Sequence, residues 1–207
     1  MKRFALFLCL WTLLSQQQAM GSDIPPLESP VAFSQEEISR LQSGKALLKK
    51  VPDSVFKMNS DNDWIAAALL KHDCQESAGL LMDFQRHPAI FPKLKDITVT
   101  PLGESRYRIA SVVKAGLFQF RFTTLWSYQS EQFLATFQLD EEEKNDFEKY
   151  QGFWKFVPQP DGKSLVLYSI RTKTLDNPLA FLEDQESRKE MVRTLEEFQK
   201  AIAAEKP

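Results

Sequence analysis

Few side chains in this sequence have the chemistry of a catalyst. His72 and Cys74 stand two apart, so on an extended strand they share a face as a thiol–imidazole pair. A catalytic or metal role needs further partners, and His87 is the only other histidine. A free thiol at a strand-to-helix junction is therefore the favoured reading of Cys74. Arg121 sits among polar neighbours and is expected on the wet side of a strand; with the facing inverted, Gln119, Arg121 and Thr123 would point inward and Arg121 would bind a ligand acid. Asp83 reads as a local hydrogen-bonding group near a helix end. No paired carboxylates for acid/base work stand out, and no serine-hydrolase elbow or HExxH zinc motif is present. The seven glycines include no two closer than ten residues, so there is no glycine-rich phosphate loop. No catalytic residue, metal site or cofactor is expected.

Composition narrows the classes further. The 207 residues carry 26 basic and 28 acidic side chains, which lacks the basic excess of a nucleic-acid binder. Apolar residues make up 43%, including 16 phenylalanines, enough for a real core rather than disorder.

The N-terminus reads as an address. Lys2 and Arg3 precede an apolar run from Phe4 to Leu14, too short to span a bilayer comfortably, and small residues follow at Ala19 and Gly21. Residues 1–21 are expected to be a secretory signal peptide cleaved near Gly21, which sends the protein to the periplasm or outside the cell. Cys9 would leave with it, and Cys74 alone could form no intramolecular disulfide. No other segment has 18 consecutive apolar residues, so the remaining chain should be soluble.

Residues 22–60 read as an extended leader with one short helix, opened by Ser34 with Glu37 as a capping box and closed at Gly44. Trp64–His72 is a strand candidate and Gln75–Gln85 a helix, broken by the prolines at 88 and 92. From Leu94 the apolar period becomes two. Residues 97–100, 106–114, 117–128, 132–139, 152–157 and 164–172 then read as strands joined as antiparallel hairpins. The acidic run Asp140–Glu148 reads as a solvated turn between two of them. Asn177-Pro178 opens a long helix, with Met191, Val192, Leu195, Phe198 and Ile202 on one face. Such a wide stripe needs a large apolar surface to cover it, and the sheet is the one candidate.

The strand from Leu117 to Tyr128 carries the most information. Phe118, Phe120, Phe122, Trp126 and Tyr128 share one face, and Phe133, Ala135, Phe137 and Leu139 share a face of the next strand. Trp154 and Phe156 add rings further on. These side chains make either an ordinary filled core or the wall of an apolar cavity.

The order and wording of these segments resemble the START-like (SRPBCC) helix-grip superfamily, the polyketide cyclase/dehydrase and coenzyme Q-binding lipid-carrier type. The stretch Leu81-Met82-Asp83-Phe84-Gln85-Arg86-His87-Pro88-Ala89-Ile90-Phe91-Pro92 resembles the family's "l-D-f-x-x-y-P-x-f-x-P", with His87 where an aromatic is usual. Gly152-Phe153-Trp154-Lys155-Phe156 resembles its "G-x-W-x-F" strand, and Gly162 to Tyr168 its "G-x-T-x-L-x-Y" strand, with Ser164 in place of threonine. Asn177-Pro178-Leu179 resembles the proline entry to its last helix, and Phe33 to Glu37 the lead-in helix of exported bacterial members. The resemblance covers residues 61–204.

It implies an α+β helix-grip domain over residues 61–207, with a curved antiparallel sheet of about seven strands around a long C-terminal helix. The implied partner is a hydrophobic small molecule or lipid, bound or carried between sheet and helix. Its wall would be Phe118, Phe120, Phe122, Trp126, Phe137, Trp154 and Phe156 from the sheet and Met191, Leu195 and Phe198 from the helix. Ala89, Ile90 and Phe91 would form an entrance loop. The alternatives are a cyclase or dehydratase acting on an aromatic polyketide-like substrate, and an interaction module with a filled core.

Overall fold

The fold comes from a computed structural model of the chain, which describes residues 27–51, 64–175 and 180–205. The signal-peptide reading of 1–21 and the helix entry at Asn177-Pro178 lie outside the described residues.

Helix α1 spans Gln35–Gln42. Ser34 accepts a hydrogen bond from the Glu37 N–H, and the Glu37 carboxylate accepts from the Ser34 N–H at 2.7 Å, closing the expected capping box. Strand β1 (Leu47–Lys50) then pairs with β2 (Trp64–Leu70). Asp73 caps α2 (Cys74–Met82) by accepting from the Glu76 N–H at 2.9 Å. Substituting Asp73→Ala is expected to cost about 1 kcal/mol in urea unfolding, whereas alanine at uncapped, exposed Gln75 should change it by less than about 0.5 kcal/mol.

The proline break takes an unexpected form. Pro88 lies in the first turn of a short helix, α3 (His87–Ile90), where its missing N–H costs nothing. Ala89 and Ile90 are therefore helical rather than part of an entrance loop. Beyond them run β3 (Leu94–Gly103), β4 (Arg106–Ala115), β5 (Phe118–Gln129), β6 (Leu134–Leu139), β7 (Phe147–Pro158), β8 (Ser164–Thr174) and the long helix α4 (Ala180–Ala204).

All neighbouring strands are antiparallel, in the order β1-β2-β8-β7-β6-β5-β4-β3, a curved, unclosed sheet of eight strands. The eighth is β1, which lies within the segment expected to be an extended leader. Its four residues end in Lys49-Lys50, and such a short, charged edge strand leaves little period-two pattern to read.

The sheet is apolar on both faces where β2, β8 and β7 run. On the concave face, Ala66, Ala68, Val166, Tyr168, Trp154 and Phe156 pack against α2 and against Met191, Leu195, Phe198 and Ile202 of α4. On the other face, Ile65, Ala67, Leu165, Leu167 and Phe153 are covered by Leu41 of α1 and by Val31, Leu47 and Val51. The N-terminal strap is also pinned by Gln159, whose side chain accepts from the Glu28 N–H and donates to the Glu28 carbonyl at 2.8 Å.

Strand β6 is short, so the first half of β5 lacks a strand partner on that side. The acidic segment fills the gap. Asp146 accepts from the Arg121 N–H at 2.6 Å, and the Asn145 side-chain oxygen accepts from the Thr123 N–H at 2.7 Å. Asp140 is buried, with an oxygen 2.6 Å from Arg108 Nε. Glu141 to Lys144 form the expected exposed turn, while Asp140, Asn145 and Asp146 beside it patch the sheet, because β5 has donors that need acceptors. The run also ends earlier than expected: Phe147 and Glu148 already belong to β7.

Candidate functional site

The concave face carries a continuous series of rings. The register sets Trp126 opposite Phe137, Ala135 opposite Trp154, and Trp154 opposite Tyr168. Trp126 stacks on Phe137 at 4.8 Å and Trp154 on Tyr168 at 4.2 Å between ring centroids. Toward the end of the sheet where β5 and β7 begin, Phe122 lies 4.4 Å from Tyr150 and 5.1 Å from Phe147, and Phe120 lies 5.3 Å from Phe147.

These rings divide into two sets. Phe156, Met191, Leu195 and Phe198 are at most 1% exposed, and the Phe198 ring meets both Trp154 and Phe156. That half of the interior is packed solid. Phe120, Phe147 and Tyr150 are only half-buried. Phe118, expected in the interior wall, is 70% exposed, because β5 begins at a hairpin tip beyond the covered part of the sheet. The Tyr150 hydroxyl makes no hydrogen bond among the described residues and is held protonated far above neutrality, by burial first and then by the Glu190 carboxylate.

The remaining residues of interest fall outside any reactive arrangement. Cys74 starts α2 fully buried; burial, then Asp73, pushes its thiol up to about 11, so it stays protonated and unreactive near neutral pH. The His72 carbonyl accepts from Ser164, and the residue lines an open pocket of about 250 Å³ between α2 and the end of α4. That pocket has a charged rim, including the Arg86–Glu205 ion pair, and does not suit an apolar ligand. Asp83 is the exposed residue closing α2. Arg121 is exposed on the outer face, as its polar neighbours implied.

The sequence reading missed two features. His87 is 5% exposed and donates from Nε2 to the Leu81 carbonyl at 2.7 Å. Its ring stands among Phe84, Phe91 and Trp126, and burial holds its pKa down at about 4. It takes the place of the usual aromatic as an aromatic, not as a base. Ile90 is buried, and Phe91 touches His87 and Trp154, so α3 plugs the interior and leaves Ala89 alone at the surface. The second feature is Phe147, which completes the open end of the ring series; it sits next to the acidic run and hides its pattern there.

Among the described residues no cluster of His, Cys, Asp or Glu has the arrangement of a metal site, and no helix is long and apolar enough to cross a membrane.

No family model and no curated protein matches the sequence. Solved structures do match the fold. A STAR-related lipid transfer protein from Xanthomonas axonopodis superposes with a TM-score of 0.55 at 13% identity, over 68% of this chain and 85% of that one. A START superfamily protein from Mycobacterium smegmatis gives 0.53 at 14% identity, over 67% and 97%. The Zhui aromatase/cyclase from a Streptomyces species gives 0.50 at 11% identity, over 67% and 84%. By these superpositions, its curved eight-stranded sheet and its long C-terminal helix, the chain has the START-like helix-grip fold.

Proposed function

We propose that the protein binds a hydrophobic small molecule or lipid on the concave face of its sheet, at the end where β5 and β7 begin. The observation that carries this reading is the half-buried series Phe120, Phe147 and Tyr150, continuous with buried Phe122 and Phe137. Rings left half-covered on the inner face of a sheet have apolar surface still to bury. The fold supports the same reading, since two of its neighbours are named for START and lipid transfer. The N-terminal segment supports an exported protein, with cargo drawn from the cell envelope.

Binding is favoured over catalysis by the side chains present. The Cys74 thiol, the His87 imidazole and the Tyr150 and Tyr168 phenols are all held in their neutral forms, and none of these is poised to exchange a proton near pH 7.

Native mass spectrometry of protein taken from its own host's envelope, followed by solvent extraction, tests the proposal. A released apolar species of defined mass is the expected result. A clean apo mass, repeated after incubation with envelope lipids and quinones, removes the carrier reading. With a ligand in hand, Phe147→Ala is expected to weaken binding roughly tenfold, because it deletes apolar contact without opening the packed core.

A further inference from the structure

We propose that the tip of the β4–β5 hairpin is a docking point for an anionic lipid bilayer surface. The tip is a two-residue turn, Gly116-Leu117, between Ala115 and Phe118. Gly116 has φ of +62°, as the first central position of such a turn requires. The second position carries no such demand, and a polar residue would serve it. The chain nevertheless puts there a leucine that is 98% exposed, followed by Phe118 at 70%. They are the two most exposed large apolar side chains among the described residues, and they are adjacent. Leu175, 52% exposed, lies at the same end of the sheet, where its N–H bonds the Asp146 carbonyl next to β7.

Charge selects the partner. Between Arg106 and Gln129 the hairpin has four bases and no acid. Arg106 and Arg108 are near carboxylates, but Lys114 and Arg121, behind the tip, have no carboxylate partner among the described residues. Lys95, on the neighbouring strand, has none either; its ammonium donates to the Pro92 carbonyl. Among the described acids at this end, Glu148 pairs with Lys173 and Glu190 with Lys93 and Arg193, while Asp146 and Asp96 accept from the backbone N–H groups of Arg121 and Ile97. Two exposed apolar side chains backed by free cations suit insertion below a negatively charged headgroup layer. A second copy of the chain fits less well, since a leucine and a phenylalanine fall far short of the roughly 800 Å² per partner of a stable interface. The inference stands apart from the ligand reading.

Full-length protein with Leu117→Trp, mixed with vesicles of phosphatidylcholine and phosphatidylglycerol bearing brominated acyl chains, provides a local readout. Quenching beyond that of the unsubstituted protein is expected, and it should fall with added salt and in the Lys114→Glu background. The double variant Leu117→Ser, Phe118→Ser is expected to bind these vesicles about tenfold more weakly while keeping the urea midpoint of the unsubstituted protein. No extra quenching at position 117, or equal vesicle binding by the double variant, overturns the proposal. So does a concentration-dependent dimer that the double variant abolishes, which would assign the tip to a second copy.

Discussion

Gly152→Ala is expected to destabilise the protein by about 3 kcal/mol, read as a fall in the urea midpoint at unchanged slope. A methyl group at this position would meet the Ser169 carbonyl oxygen at 2.1 Å, the tip of the Phe137 ring at 2.6 Å and Ile170 Cα at 3.0 Å. Two of these three are backbone atoms of β8, held by the β7–β8 ladder, so they cannot swing aside as a flexible side chain would. The third is a ring wedged between Trp126 and Tyr150. Gly152 is thus a glycine for space, with Phe137 covering the bare backbone opposite it. Gly79 provides the contrast. It lies on the exposed side of α2 with nothing within 4 Å of an added methyl, so Gly79→Ala should stabilise by about 0.5–1 kcal/mol through helix propensity. If Gly152→Ala cost less than about 1 kcal/mol, the close packing of β7 on β8 and Phe137 would be wrong.

The second large effect is a dependence of stability on pH set by His87. Its neutral ring is buried and hydrogen-bonded to the Leu81 carbonyl in the last turn of α2, and its folded pKa is lowered to about 4 from 6.5. Between those values the unfolded chain takes up a proton that the folded one refuses. Stability is therefore full above pH 6.5 and falls as pH is lowered toward 4, by about 3 kcal/mol in all. Asp83 nearby opposes the shift, but desolvation outweighs it. Urea unfolding at a series of pH values should show this slope. In His87→Phe the slope over that window should flatten, whatever the absolute cost of losing the hydrogen bond. A slope unchanged in the variant would move the titrating group elsewhere.

Much of this architecture was legible in the chain. The period-two runs gave six of the eight strands, with β2 recognised as a candidate despite its alanines. They also sorted the rings and the polar residues of β5 onto opposite faces; that the rings face inward and Arg121 outward follows from which side of the sheet α4 covers. The stripe of Met191, Leu195, Phe198 and Ile202 identified the buried face of α4. Local capping rules predicted the start of α1.

Other features depend on contacts between segments distant in sequence. Period and ring content made Phe118 and Phe156 equivalent, yet one is 70% exposed and the other fully buried. The difference is how far α4 reaches along the sheet, which no local pattern encodes. Strand β1 has four residues and gains its place only by pairing with β2 and covering Leu41. The acidic run is solvated in its middle, as its charges imply; Asn145 and Asp146 are held to the sheet because β6 ends early and leaves β5 donors unpaired. His87 stands in sequence where the resemblance places an aromatic, and its role is fixed once Phe84, Phe91 and Trp126 enclose it. Residue types and their spacing determined the elements and their apolar faces. Tertiary structure decided which rings are covered and which charges are paired, since burial is a property of the neighbours a residue acquires on folding.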